Sequence, residues 1–292
     1  QQQGAAVAPW REQAVKRFRQ VGYGLGLPVG VGEGDHRTAG GKVACYQLLG
    51  LLDKALHHYE TSLRACEPLG NRIGAAIAHN NIGEVLLAQG LLEDAAGHFK
   101  EVVTTYERTG DPLAACGLAL VNLCRVCQHQ KRYEEASGHL QRGIALLRRA
   151  GARGLLIEAL LQLADLQLEA GSAESALHTC KRALGEAQEL GMKLLEARGL
   201  RISGIIAASR GQYAEAEACL GRAVDLDEAV GAQYEKALTL LVLAELYSKG
   251  VGESGSRRQC RLALRKAVSI FRRVGAKGDL SRALHMPTTL RR

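Results

Sequence analysis

Three groups of residues in this sequence have types and spacings that chemistry can use. Eight cysteines occur: Cys45, Cys66, Cys116, Cys124, Cys127, Cys180, Cys219 and Cys260. Cys124 and Cys127, with His129 just beyond, form half of a zinc-ligand set, and no second cysteine pair completes it. His58, His98 and His139 recur 40 and 41 residues apart, a spacing that could line them up for a metal ion or a protonation switch. Gly41-Lys42 ends a glycine-rich stretch. A phosphate loop there would need Gly in place of His36 and Ser or Thr in place of Val43. Gly22, Gly24 and Gly26 fall short of the dinucleotide fingerprint, with no strand pattern ahead of them. No nucleophile, base and acid fall together, and no carboxylate pair stands out. The expectation is a non-enzyme with no cofactor and no metal. Its cysteines read as small, reduced core hydrophobes, and its histidines as a duplicated, partly exposed position.

Elements must hold these residues, and composition limits which. The 292 residues are 47% hydrophobic, 23% charged and 4% aromatic, with 34 Gly and five Pro. That excludes collagen-like and proline-rich classes and argues against disorder over most of the length. No apolar run reaches the length of a membrane-spanning helix, and no secretory leader is visible. A cytoplasmic protein is expected. The net charge of +8 is uneven. Residues 251–292 hold eleven Lys and Arg against Glu253 and Asp279, so about −1 is left for the first 250. The basic character belongs to the C-terminal end.

Periodicity decides the fold. Gly70, Gly110, Gly151, Gly191, Gly231 and Gly275 are spaced 40, 41, 40, 40 and 44. Midway between them run Gly50, Gly90, Lys131, Gly171, Gly211 and Gly255, with the same spacings. Five residues after each comes Ala55, Ala95, Ala136, Ala176, Ala216 or Cys260. Within each unit the apolar residues keep a helical period: Ile73, Ala76, Ile77, Leu86 and Leu87, then Ala95, Phe99, Val102 and Val103. Glycine between these runs ends each helix by accepting a left-handed conformation. Gly83, Cys124, Ala164, Gly204 and Ala244 share one small-residue position, which close helix packing explains. The predicted fold class is all-α, a right-handed α-solenoid superhelix of about six helix-turn-helix repeats. The expected domains are a Gly-rich, poorly patterned segment at 1–40, the array at 41–276 and a basic tail at 277–292. Four extra residues fall in Ser248–Gly255, where an exposed loop is expected.

A small residue, then Ala twelve positions on, then a large apolar residue four further, appears in Gly83, Ala95, Phe99 and in Gly204, Ala216, Leu220. This resembles the tetratricopeptide repeat. The 40-residue length and the Leu69-Gly70-Asn71 linker are similar to the repeats of kinesin light chains and of MalT-like sensor regions. The resemblance implies a protein- or peptide-binding scaffold or sensor region of a larger signalling protein, with the ligand in a concave groove lined by the first helices. Carried over by register, the groove residues are Asn80, Asn81, Glu84, Asn122, Arg125, Gln128, Arg198 and Arg201, beside Val121, Glu158, Leu161, Asp165, Ile205, Leu241 and Glu245. Asn81 and Asn122 match the asparagine that holds a peptide backbone in this family. The Lys/Asn/Arg set of the chaperone-type carboxylate clamp is missing. Arg125, Arg198 and Arg201 suit an acidic side chain or terminal carboxylate, or else pair with Glu158 and Asp165.

The expected partner is thus another protein or peptide segment, acidic if the arginines are free, with no membrane. Nucleic acid is disfavoured. The alternative reading assigns an anionic-polymer or nucleic-acid contact to Arg257, Arg258, Arg261 and Arg265, although no base-stacking aromatic accompanies them. The chain opens Gln-Gln-Gln without Met, which suggests a missing effector domain on its N-terminal side.

Overall fold

The computed structural model describes residues 52–66, 68–111, 113–249 and 254–286, the side chains of 254–256 excepted. The Gly-rich segment, Cys45, Gly50 and the expected first helix near 43–49 lie outside them. Among the described residues there are twelve helices and no strand. They are α1 (Leu52–Cys66), α2 (Arg72–Gln89), α3 (Leu92–Thr109), α4 (Leu113–His129), α5 (Tyr133–Arg149) and α6 (Arg153–Glu169). There follow α7 (Ala173–Glu189), α8 (Lys193–Ser209), α9 (Tyr213–Val230), α10 (Gln233–Lys249), α11 (Ser254–Val274) and α12 (Lys277–Leu284). Each helix packs on the one before and the one after, as an α-solenoid requires.

The turns obey the glycine series. Gly90 ends α2 at φ 83° with its N–H on the carbonyls of Leu86 and Leu87, and Gly70, Gly110, Gly151, Gly171, Gly191, Gly211, Gly231 and Gly275 are left-handed too, whereas Gly255 falls within α11. Lys131 stands in the same conformation at φ 61° without the freedom of a glycine. Asn71 caps α2 by accepting the Gly74 N–H at 2.9 Å.

Within a hairpin the small residues permit close approach. A Cβ on Gly83 would lie 2.5 Å from the Phe99 ring, and one on Gly204 2.7 Å from Leu220. Ala95, Ala136, Ala176 and Ala216 are wholly buried in the facing helices. Phe99 itself is fully buried, a burial that contributes on the order of 2–3 kcal/mol.

The even-numbered helices from α2 to α10 also touch their neighbours one hairpin away, whereas the odd-numbered ones meet chiefly the helices beside them in sequence. The even-numbered set therefore lies on the inside of the curve. The curve closes: α12 packs against α2, and a Cβ on Gly278 would lie 3.4 Å from the Gly90 Cα. Residues 277–284, expected to begin a tail, form this closing helix. Of the expected Ser248–Gly255 loop, Ser248 ends α10 with Lys249 and Ser254 begins α11, while 250–253 lie outside the described residues.

Candidate functional site, the lining of the inner channel

A ladder of polar side chains runs across the inner helices. It begins with Glu84 of α2, which accepts from Asn122 Nδ2 at 3.3 Å, while Asn122 Oδ1 accepts from Arg125 at 3.3 Å. Gln128 of α4 donates to Glu169 at 3.1 Å and accepts from Gln162 of α6. Gln162 in turn accepts from Arg198 of α8 at 2.6 Å. Arg198 also lies 3.5 Å from Glu158 and 3.8 Å from Asp165. Arg201, one turn on, donates to Glu235 of α10 at 2.8 Å and to Thr239 at 3.4 Å. Thr239 donates to Asp227 at 3.0 Å. The far end is closed by Tyr234, which donates to Asp279 at 2.7 Å, and by Arg282, 2.7 Å from Glu245.

The residue types explain the ladder. An array repeats its register, so a polar side chain on one inner helix finds its neighbour's equivalent about 40 residues later. A charge turned inward is held away from bulk water and needs a partner. The guanidinium side chains of Arg198 and Arg201 are only 13% and 12% exposed. Burial alone would favour loss of charge, yet Arg125 and Arg201 are held above their ordinary range by carboxylates. Glu84 and Glu158 act on Arg125, and Glu235 and Asp227 act on Arg201. Glu235 is lowered by Arg201 and Arg198 against the pull of its own burial. Two acids go the other way. Desolvation raises Asp165 despite Arg198 and Arg201, and it pushes Asp227 to about 7. Asp227 Oδ1 is buried without a hydrogen-bond partner, as a protonated carboxyl tolerates better than a carboxylate.

The expected groove residues divide into two groups. Glu84, Arg125, Gln128, Glu158, Asp165, Arg198, Arg201 and Glu245 reach the channel. Val121, Leu161 and Leu241 are wholly buried between helices, and Ile205 is half-buried. Asn122 is 0% exposed, with both ends of its amide engaged by Glu84 and Arg125. Asn80 donates to the Ala115 carbonyl at 3.0 Å and fastens α2 to α4. Asn81 is buried beside them. Register shows which helix turn faces inward, but not which of its residues the next helix covers. Missing from the expected groove set were Gln162, Glu169, Asp227, Tyr234, Glu235, Thr239, Asp279 and Arg282. Gln162 and Thr239 carried a signal, since each is a polar residue in an otherwise apolar helical run.

The other chemical candidates take separate places. Cys124 turns to Gln128 at 3.6 Å, while Cys127 meets Glu135 and His139, with ligand atoms within 4.8 Å. Cys124, Cys127 and His129 therefore do not form the zinc half-site that their spacing suggests. Arg132 already grips Glu135, and burial, Arg142, Lys100 and Arg132 all hold the His139 ring below its usual pKa. These cations oppose a bound metal ion. His98 meets His79, Nδ1 to Nδ1 at 2.9 Å, and His58 lies edge-on to His57. The described cysteines are unpaired thiols, five of them buried. Desolvation pushes Cys124 to about 12, which leaves it an inert core thiol at neutral pH. Arg257, Arg258 and Arg265 are exposed on α11, and Arg261 is half-buried. Among the described residues no helix is long and apolar enough to cross a membrane.

Comparison with known proteins agrees with this architecture. The tetratricopeptide repeat family model matches residues 36–108. The regulatory protein AfsR of Streptomyces coelicolor is 29% identical over 147 residues, which are 49% of this chain and 15% of AfsR. Among solved structures, a Rap protein complexed with competence and sporulation factor superposes with a TM-score of 0.62 at 11% identity, over 87% of this chain and 73% of that one. NprR in complex with its cognate peptide NprX gives 0.58 at 15% identity, over 95% and 79%. At such identities the likeness is one of fold. Repeat pattern and architecture extend across the described helices the likeness to tetratricopeptide repeats that the family model finds in residues 36–108.

Proposed function

We propose that the array is a peptide-binding scaffold of a larger regulatory protein, and that its inner channel holds an extended segment of a partner. The observation that carries this reading is the polar ladder. It joins five inner helices along one continuous, repeating surface, the geometry that repeat proteins offer to an extended chain. The bound forms of two arrays of like fold support it, since a Rap protein carries competence and sporulation factor and NprR carries its cognate peptide. The match to AfsR supports a regulatory setting.

The lining also argues for the ligand's sign. Eight carboxylates (Glu84, Glu158, Asp165, Glu169, Asp227, Glu235, Glu245 and Asp279) share the ladder with four arginines (Arg125, Arg198, Arg201 and Arg282). With Asp227 protonated the lining is still acidic. Read alone, the arginines suit an acidic ligand, but each already has an acceptor within reach. A segment bearing Lys or Arg fits better, because opposite potentials draw partners together and like potentials reject them. The test is a panel of ten-residue peptides of net charge +3, 0 and −3, titrated against the chain. The +3 peptides should bind at least tenfold more tightly, with affinity falling as salt rises. Tighter binding by the −3 peptides, weakened by Arg198→Glu and Arg201→Glu, would restore the acidic ligand.

A further inference from the structure

One inner helix departs from the leucine that its counterparts share. At the position held by Leu120, Leu160, Leu200 and Leu240, all of them buried, α2 carries His79. A polar ring at a core position needs a partner. His98 of α3 is that partner, its Nδ1 lying 2.9 Å from the Nδ1 of His79. The two rings open on a cleft between α1 and α3 that Glu60, Glu93, Asp94 and Glu101 also line. Among the described residues no Lys or Arg lines it. The neighbouring cleft, between α3 and α5, has the opposite character. By register Lys100 stands there in place of Glu60, Arg142 in place of Glu101 and Leu120 in place of His79. His139, the counterpart of His98, is held below its usual pKa by burial and by those two cations.

We propose that His79 and His98 hold a divalent transition ion of the zinc class, which pins α2 to α3. Geometry is the first argument. Two nitrogen ligands at about 2.0–2.1 Å from one ion stand roughly 3.0–3.4 Å apart, so the rings need part only slightly. Between two neutral rings one Nδ1 donates and the other accepts. Binding moves the donor ring's proton to its Nε2, so both Nδ1 lone pairs face the ion and no net proton is released. Chemistry is the second. Imidazole suits zinc, nickel and copper, whereas calcium and magnesium take oxygen ligands. Burial outweighs Asp94 and Glu60 and holds His98 below its usual pKa, which leaves its ring neutral at pH 7. Charge is the third, since four carboxylates around the rings draw a cation in. Among the described residues no third His, Cys, Asp or Glu ligand atom lies within 4.8 Å of both Nδ1 atoms. The rings are thus the preset ligands. Asp94, one helical turn before His98, swings in as the third, and water completes the shell.

The probe is Zn2+ alone, titrated by calorimetry against the whole chain with its thiols kept reduced. One equivalent should bind, raise the melting temperature and resist an excess of Ca2+ or Mg2+. Co2+ at the same site should show no thiolate charge-transfer band. His79→Leu, which restores the residue of the other inner helices, should weaken binding at least tenfold while the metal-free chain melts no lower. His98→Gln should weaken it as much. Glu60→Lys with Glu101→Arg gives the cleft its neighbour's charges and should cost about 10–100-fold with both rings kept. Cys127→Ser with His139→Gln should leave the affinity unchanged. The proposal is overturned if Zn2+ does not bind or if His79→Leu keeps the parent affinity. It is also overturned if the Cys127→Ser, His139→Gln chain loses the ion instead, which would move it to the neighbouring cleft. Ca2+ competing on equal terms would overturn it too, because the carboxylates alone would then be the site.

Discussion

The inner channel and the α11–α12 face handle charge in opposite ways. In the channel every arginine of the ladder has an acceptor, and the acids outnumber them. On the terminal face Arg257, Arg258, Arg265 and Arg272 are exposed, on a helix whose described side chains include no acid. The difference follows from solvent. An inward charge left unpaired would cost several kcal/mol, so the repeats supply a carboxylate or amide about 40 residues away. An outward charge is screened by water and needs no partner. Buried pairing shapes a binding surface, and free surface charge selects who approaches it.

The contrast breaks most directly by reversing one arginine in each region. Arg201→Glu sets a third acid beside Glu235 and Asp227 and should cost about 3–5 kcal/mol, seen in urea unfolding. Arg265→Glu should stay within about 0.5 kcal/mol. Equal costs would mean that the channel arginines are as well hydrated as the surface ones.

Asp227 sharpens the account through pH. Its carboxyl titrates near 7 in the folded chain, against 3.8 for an ordinary aspartate. Between those values the folded state keeps a proton that the unfolded state has released, so stability falls as pH rises from about 4 and levels off above 7. Asp227→Asn should remove that slope and stabilise the chain by roughly 2–4 kcal/mol at pH 8, with little change at pH 4. A gain equal at both pH values would show that the acid is charged throughout.

Both prediction sites also show how far the sequence could be read. The helices and turns were legible because a steric requirement stands behind each signal. A left-handed turn calls for glycine, and Gly83 is small because Phe99 fills the space beside it. Arg198 and Arg201 could be assigned to the inner surface by register. Their partners were only half visible, since Glu158 and Asp165 could be named but Gln162, Glu235 and Thr239 were not. Nor could spacing show that Asn122 would be enclosed, because Glu84 reaches it from 38 residues away. Closure of the curve had no local signal, since Gly90 and Gly278 meet only when all the hairpins between them have added their rotations.

The smallest gain belongs to a turn. Lys131 adopts the left-handed conformation that glycine takes at the equivalent turns, so Lys131→Gly should stabilise the chain by about 0.5–1 kcal/mol without touching either surface. A destabilised variant would mean that the lysine side chain contributes more than the strain it carries.

The central claim is that the ligand lies in the channel, and hydrogen exchange tests it directly. With a saturating +3 peptide bound, amides of α4, α6, α8 and α10 should exchange more slowly while α11 keeps its free rate. Slowed exchange confined to α11 and α12, with the inner helices unchanged, would contradict the account and move recognition to the basic end of the array.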